Sequence, residues 1–229
     1  MRAMILAAGR GNRLRPLTDH CPKPLIQVQS KPLIVYHLEN LSKAGVTQVV
    51  INLRYLGEQI LAYLGDGKKW GMQITYSSEA KELEVGGGIF NALPLLGKDP
   101  FLLVNGDIWT DYPFVKLPSH PKGLAHLVLV DNPLHNPEGD FSLNKEGQLS
   151  REPYQKLTYS GLSVLHPALF SDCVEGTSFR LAPLLDKAAA KQALYGEHYH
   201  GEWTDVGTIE RLQELEKKLA SKLIESKMF

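Results

Sequence analysis

The sequence predicts an α/β protein: a doubly wound, mostly parallel, Rossmann-like sheet with helices on both faces, and a smaller, partly antiparallel region beside it. Two observations predict this. Apolar runs alternate with amphipathic stretches through residues 1–110, giving the order β-α-β-α-β-α-β, the pattern of a parallel sheet with crossover helices. Most of those runs are continuous rather than alternating, as strands covered on both faces require.

Each element follows from its residues. Ala3-Met4-Ile5-Leu6-Ala7-Ala8 is a buried strand closed by Gly9. From Pro32 to Ala44, Leu33, Ile34, Leu38 and Leu41 recur at helical spacing, and Gly45 is the stop. Gln48 to Leu53 is a second buried strand, and Leu56 to Leu64 a helix ended by Gly65-Asp66-Gly67. Met72 to Ser77 alternates as a third strand. Gly86, Gly87 and Gly88 open a helical stretch towards Leu96, and Phe101 to Val104 is a fourth strand running into Asn105-Gly106-Asp107.

After residue 110 the pattern changes. Ala125 to Val130, Ser142 to Asn144 and Ser160 to Leu165 read as strands separated by turns such as Asp131-Asn132-Pro133. Part of this half is expected to be antiparallel and to wall one side of a cleft. Phe179 to Ala190 reads as a helix and Leu194 to Tyr199 as a strand. Thr208 to Ser226 carries Ile209, Leu212, Leu215, Leu219 and Leu223 at helical spacing, with Thr208 as N-cap. That apolar face suits an oligomer interface as well as a core, so the sequence leaves oligomeric state open. No repeat or linker interrupts the chain, and one domain over 1–229 is expected, with halves 1–110 and 111–229.

Composition narrows the function. The chain has 229 residues, 43% hydrophobic and 22% charged, which argues against disorder and fibrous repeats. Its 25 Lys and Arg balance 25 Asp and Glu, leaving no electrostatic footprint for nucleic acid or an anionic membrane. Neither partner is expected. Cys21 and Cys173 lie far apart and read as reduced thiols. The first residues lack a signal-peptide core, and no run nears the ~20 apolar residues of a membrane span, so a cytoplasmic location is expected.

The chemistry begins at the first loop. Gly9 and Gly11 let the backbone turn tightly and aim N–H groups inward, as a phosphate cradle does. Arg13, Arg15 and Lys23 add positive charge suited to phosphate oxygens. A dinucleotide fingerprint would need glycine where Leu14 stands, and no G-K-[ST] follows for a P-loop. Asp107 follows a buried strand, so its carboxylate enters the same cleft, and Mg²⁺ favours one or two carboxylates plus phosphate oxygens. Asp205, in Trp203-Thr204-Asp205-Val206-Gly207-Thr208, pairs with it in that role if the fold brings them together. Glu84-Val85-Gly86-Gly87-Gly88 allows close approach of a planar or anionic ligand. His198 and His200 alternate on a strand and read as surface residues, and Glu152 and Arg151 as solvated.

Together these motifs resemble the sugar-1-phosphate nucleotidylyltransferases. The resemblance rests on Leu6-Ala-Ala-Gly-Arg-Gly-Asn-Arg-Leu-Arg-Pro-Leu-Thr18, then Pro22-Lys23-Pro24, then the segments at 84–88, 105–107 and 203–208, and it spans nearly the whole chain. Two departures stand out: Arg151-Glu152-Pro153 replaces the Glu-Lys-Pro of many members, and no hexapeptide-repeat segment is present. The resemblance implies transfer of a nucleotide from UTP to a sugar 1-phosphate, with Mg²⁺ as cofactor and release of pyrophosphate. Residues 1–110 are then the nucleotide half and 111–229 the sugar half. It implies catalytic roles for Arg13 and Lys23 and metal binding by Asp107 and Asp205. It implies nucleotide contacts from Ala7, Ala8, Gly9, Gly11, Asn12, Glu79, Gly87 and Asn105, and sugar contacts from Gly139, Glu152 and Gly161. Within the family, runs such as GLAHLVLVDNP and SGLSVLHPALF look closest to members acting on N-acetylmuramic acid 1-phosphate in bacterial cell-wall recycling. Mannose or glucose 1-phosphate is the rival substrate, and a non-catalytic sugar-nucleotide sensor the rival class.

Overall fold

The computed structural model describes residues 1–152 and 155–225; Pro153, Ser226 and the side chain of Leu223 lie outside the described residues. In chain order the strands are β1 (Arg2–Leu6), β2 (Gln27–Val28), β3 (Lys31–Pro32), β4 (Gln48–Leu53), β5 (Gln73–Ser78), β6 (Phe101–Asn105), β7 (Ile108–Thr110), β8 (Ala125–Val130), β9 (Phe141–Leu143), β10 (Leu149–Ser150), β11 (Lys156–Leu165), β12 (Leu194–His198) and β13 (Trp203–Asp205). The helices are α1 (Leu33–Lys43), α2 (Gly57–Leu64), α3 (Glu84–Leu96), α4 (Ala182–Ala190) and α5 (Ile209–Glu225).

Strands β5, β4, β1 and β6 lie side by side and run parallel. The chain winds outward from β1 through β4 to β5, then returns past β1 to β6. This reversal leaves a crevice at the carboxyl ends of β1 and β6, where ligands of such sheets bind. The second half extends the same sheet: β11 runs antiparallel to β6, β8 antiparallel to β11, and β12 parallel to β8. The carboxyl ends of β8 and β12 therefore point the same way as that of β6. Strands β9 and β10 join the start of β11.

Alternation along the strands explains why both faces need helices. Ala3 and Ile5, Val49 and Ile51, Leu102 and Val104 pack into one core with Ile34 and Leu38 of α1 and Ile60 of α2. Met4, Val50 and Leu103 point the other way, onto Ile89 and Ala92 of α3 and Leu185 of α4. Burying one such side chain contributes about 1.5–3 kcal/mol, so each strand is stabilised from both sides. A third, smaller core joins Leu14, Ile26 and Val28 to Trp109, Val206, Leu212 and Leu215. The apolar face of α5 thus packs at these positions within the chain, and Thr208 Oγ1 caps the helix by accepting from the Arg211 N–H at 3.3 Å.

Two sequence expectations need correction, and one strand adds to them. Helix α4 starts at Ala182, not Phe179, because Pro183 favours a helix start and the Phe179 backbone is bonded to Leu83 and Gly87. Strand β11 is longer than expected: Tyr159 pairs with Leu129 but Ser163 with Leu127, and Gly161, at φ 83°, sits in the resulting bulge. Trp203–Asp205, shortly before α5, forms a further strand, antiparallel to β7. Cys21 and Cys173 are free thiols.

His37 of α1 is buried, and its Nε2 has no partner. Burial pushes its pKa down from 6.5 to about 4, against the pull of the Asp107 carboxylate and the Ile108 backbone. The unfolded chain therefore takes up a proton at a pH where the folded chain does not. His37 costs nothing above pH 6.5 and destabilises the fold as pH falls from 6.5 towards 4, by about 3 kcal/mol in all. His37→Leu should flatten this acid limb. Urea unfolding of both proteins at pH 7.5 and 4.5 tests it: an equal loss of stability on acidification in the two would refute the assignment.

Candidate active site

The carboxyl ends of β1, β4 and β5 are tied by one polar line. The Ala7 N–H donates to Asn52 Oδ1 at 2.8 Å, and Asn52 Nδ2 donates to Glu79 Oε1 at 2.7 Å. Asn52 and Glu79 are both buried. Burial lifts the Glu79 carboxyl above its ordinary pKa, opposed by the Asn52 hydrogen bond and the Arg54 charge. Asn52 escaped the sequence reading, although one amide near the end of the apolar run Gln48–Leu53 was a signal for it.

The first loop follows from this anchor. Gly11 sits at φ 66°, and a Cβ there would lie 2.9 Å from Thr18 Cγ2 and 3.2 Å from Lys23 Cβ, so glycine is required. Thr18 Oγ1 donates to Gly11 O at 2.9 Å, and the Tyr55 hydroxyl donates to Thr18 O at 3.0 Å. Leu14 roots the loop in the third core. Asn12 and Arg13 stay exposed, while Arg15 is paired with Asp19 at 3.1 Å.

Together these residues border a cleft of about 570 Å³ at the sheet's switch point. Ala7, Ala8, Gly9, Gly11, Asn12, Lys23, Glu79, Asn105 and Asp107 line it, with Asn52, Arg54, Glu82 and Val85. Lys23 is nearly buried, and its Nζ meets Asp107 Oδ2 at 2.6 Å. Gly106 lets β6 close on β1: its N–H donates to Leu6 O at 3.0 Å, and a Cβ would stand 2.3 Å from that oxygen.

Asp205 arrives on the neighbouring strand. It stands opposite Ile108 in the β7–β13 ladder, and the Val206 N–H donates to Asp107 O at 2.7 Å. Its Oδ1 accepts from Arg211 Nη1 at 2.8 Å and lies 3.0 Å from His135 Nε2. Gly207 makes room for that guanidinium, since a Cβ would lie 2.0 Å from Arg211 Nη2. Arg211 and His135 carried no sequence signal, because their meeting with Asp205 is tertiary.

The remaining candidates lie elsewhere. Gly86, Gly87 and Gly88 form no open loop but sit inside α3. Their missing side chains make room for the protein's own atoms: the Phe179 ring, the Thr177 carbonyl 2.7 Å from a Gly87 Cβ, and Glu79 Oε1 2.6 Å from a Gly88 Cβ. Gly161 abuts the side chain of Asn105, and Gly139 abuts Asn132 Oδ1 and the Lys156 backbone. Glu152 borders a different hollow, between β9–β10 and α4. Arg13 does not line the cleft.

A family model described as nucleotidyl transferase matches residues 2–141. The chain belongs to the nucleotidyl transferase family. It is 49% identical over 224 residues to the N-acetylmuramate alpha-1-phosphate uridylyltransferase of Neisseria meningitidis, covering 93% of this chain and 96% of the relative. It is 32% identical to a mannose-1-phosphate guanyltransferase of Yarrowia lipolytica over 90% of this chain, and spans 61% of that longer relative. A crystal structure of UDP-glucose pyrophosphorylase with UDP-glucose shares the fold, at TM-score 0.79 and 18% identity, over 96% of this chain and 98% of that one.

The two aspartates fit a divalent cation. The contacts above engage Oδ2 of Asp107 and Oδ1 of Asp205, so the other oxygen of each has no partner among the described residues. Such hard oxygen donors, completed by phosphate oxygens, suit Mg²⁺.

Asn52→Ala should cost about 1–3 kcal/mol, because it leaves the Ala7 N–H and the Glu79 carboxyl buried without their partner. A double-mutant cycle with Glu79→Ala should show coupling above about 0.5 kcal/mol. Strictly additive chemical-denaturation energies would mean that the line from Ala7 to Glu79 is not a unit.

Proposed function

We propose that this chain transfers UMP from UTP to N-acetylmuramic acid 1-phosphate, releasing pyrophosphate. The observation that carries the reading is the Lys23–Asp107 contact of 2.6 Å at the mouth of the glycine loop, with Asp205 on the adjoining strand. The 49% identical relative from Neisseria meningitidis supports the choice of sugar and nucleotide. The reading takes residues 1–229 as one domain, acting in the cytoplasm in cell-wall recycling, without nucleic acid or a membrane. It is consistent with the finding that no helix among the described residues is long and apolar enough to cross a membrane.

An oxygen of the sugar 1-phosphate attacks the α-phosphorus in line, and the bond from that phosphorus to the bridging oxygen of pyrophosphate breaks. Positioning and charge stabilisation supply most of the rate in such transfers. Backbone N–H groups from Gly9 to Asn12 cradle the triphosphate, and Arg13, exposed on the same loop, meets the departing pyrophosphate. Lys23 Nζ turns from Asp107 to the α-phosphate. Asp107 and Asp205 would hold Mg²⁺, whose charge would stabilise the phosphate oxygens. Ala7, Ala8 and Asn105 face the nucleoside, and Glu79 accepts from a ring N–H. Gly87 acts by keeping α3 close, Gly161 by seating Asn105, and Gly139 by shaping the loop that bears His135. Glu152, on a separate hollow, has no part in this reading.

A panel of sugar 1-phosphates with UTP or GTP and Mg²⁺, assayed for pyrophosphate, tests the substrate. Release is expected with UTP and N-acetylmuramic acid 1-phosphate. Release only with GTP and mannose 1-phosphate would replace this reading, and UTP binding without any release would mark a sensor.

Asp107→Ala and Asp205→Ala should each lower kcat by about 10²–10³-fold in protein whose circular dichroism is unchanged. Near-normal turnover in both would remove the metal assignment. Lys23→Ala should lower kcat more than it weakens UTP binding, measured by calorimetry; equal losses in both would reduce Lys23 to a binding residue.

A further inference from the structure

We propose that Asp131, His198 and His200 form a binding site for a divalent first-row transition metal ion, separate from the nucleotide cleft. One ligand atom from each residue lies within 4.8 Å of the other two. His198 Nε2 stands 2.8 Å from Asp131 Oδ1, and the two imidazole rings are 3.9 Å apart, centroid to centroid. Neighbouring ligands of one ion, at metal–ligand bonds of roughly 2.1 Å, stand about 3.0 Å apart in octahedral geometry. The His198–Asp131 separation already matches that edge. His200 has no hydrogen-bond partner among the described residues, so both of its ring nitrogens are open to a ligand role.

The backbone pre-arranges the set. His198 ends β12 and His200 lies two residues on, so an extended chain puts both on one face. Tyr199 between them is pinned to the other side. Its hydroxyl donates to Asp111 Oδ1 at 2.6 Å, its ring meets Tyr112 at 5.0 Å, and its N–H donates to Leu129 O at 2.8 Å. Asp131 directly follows β8, whose Leu129 pairs with His198. Two strand ends therefore deliver three ligands to one spot without rearrangement of the sheet.

Two imidazoles and one carboxylate are the donors of zinc, cobalt, nickel and iron, whereas Mg²⁺ takes oxygen donors. The donor set thus differs in kind from Asp107 and Asp205. An ion here ties the end of β8 to the end of β12, at the root of the loop 131–140 whose His135 touches Asp205. The proposal does not depend on the sugar or nucleotide assigned above.

Calorimetric titration of the full chain with Zn²⁺, and separately with Co²⁺ followed by visible absorption, provides the test. The Asp107→Asn background removes competition from the nucleotide cleft. One ion per chain is expected to bind in that background, with a visible Co²⁺ band. His198→Ala combined with His200→Ala should weaken binding at least tenfold and abolish the band, while His120→Ala, at an exposed histidine elsewhere, should change neither. If the double variant loses its native circular dichroism, His200→Gln alone, an exposed change, should still diminish the Co²⁺ band. No saturable binding by the parent, or binding that survives the histidine variants, would overturn the proposal.

Discussion

Asp107, just before β7, and Asp205, at the end of the neighbouring strand β13, each meet a cationic side chain, and these two contacts draw the centre of the molecule together. Asp107 is met by Lys23, which comes from the first loop. Asp205 is met by Arg211 of α5 and by His135 of the loop after β8. These partners come from three separate parts of the chain, and their contacts bind those parts to the β7–β13 ladder. A carboxylate lowers its energy by meeting charge of the other sign, from a cationic side chain or a metal ion. In the function proposed above, the same demand would favour a divalent ion and, through it, a polyanionic substrate.

That arrangement stands on apolar packing beneath it. The two large cores fix the parallel sheet and so the level at which β1, β4, β5 and β6 end. The small third core adjusts the first loop against β7, β13 and α5. Gly11 and Gly106 then permit backbone approaches that any Cβ would block. Packing sets the frame, and hydrogen bonds such as Ala7–Asn52–Glu79 set the finer position of the loop.

The first half of the fold was legible because most of its strands are short apolar runs separated by helical patterns and glycine stops. The glycine loop, Lys23, Asp107 and Asp205 stood out because their residue types suit phosphate and metal, and the structure brings the loop, Lys23 and Asp107 into one cleft. Other features were not legible. The β7 and β13 strands have three residues each, too short to show a period, and become strands only by pairing with each other. Gly86, Gly87 and Gly88 read as a helix start open to a close-lying ligand, since nothing local shows that Phe179, Thr177 and Glu79 take the space they leave. His198 and His200 alternate visibly, but Asp131 reaches them only through the parallel pairing of β8 with β12.

The third core also has a consequence for synthesis on the ribosome. Leu14 belongs to the opening segment, whereas its partners Leu212 and Leu215 belong to the final helix. Domains emerge amino end first, so the glycine loop leaves the exit tunnel long before the surface that seats it exists. The nascent chain consequently carries the first loop before Leu212 and Leu215 exist to pack on Leu14, so that loop reaches its final seating only once α5 has been made.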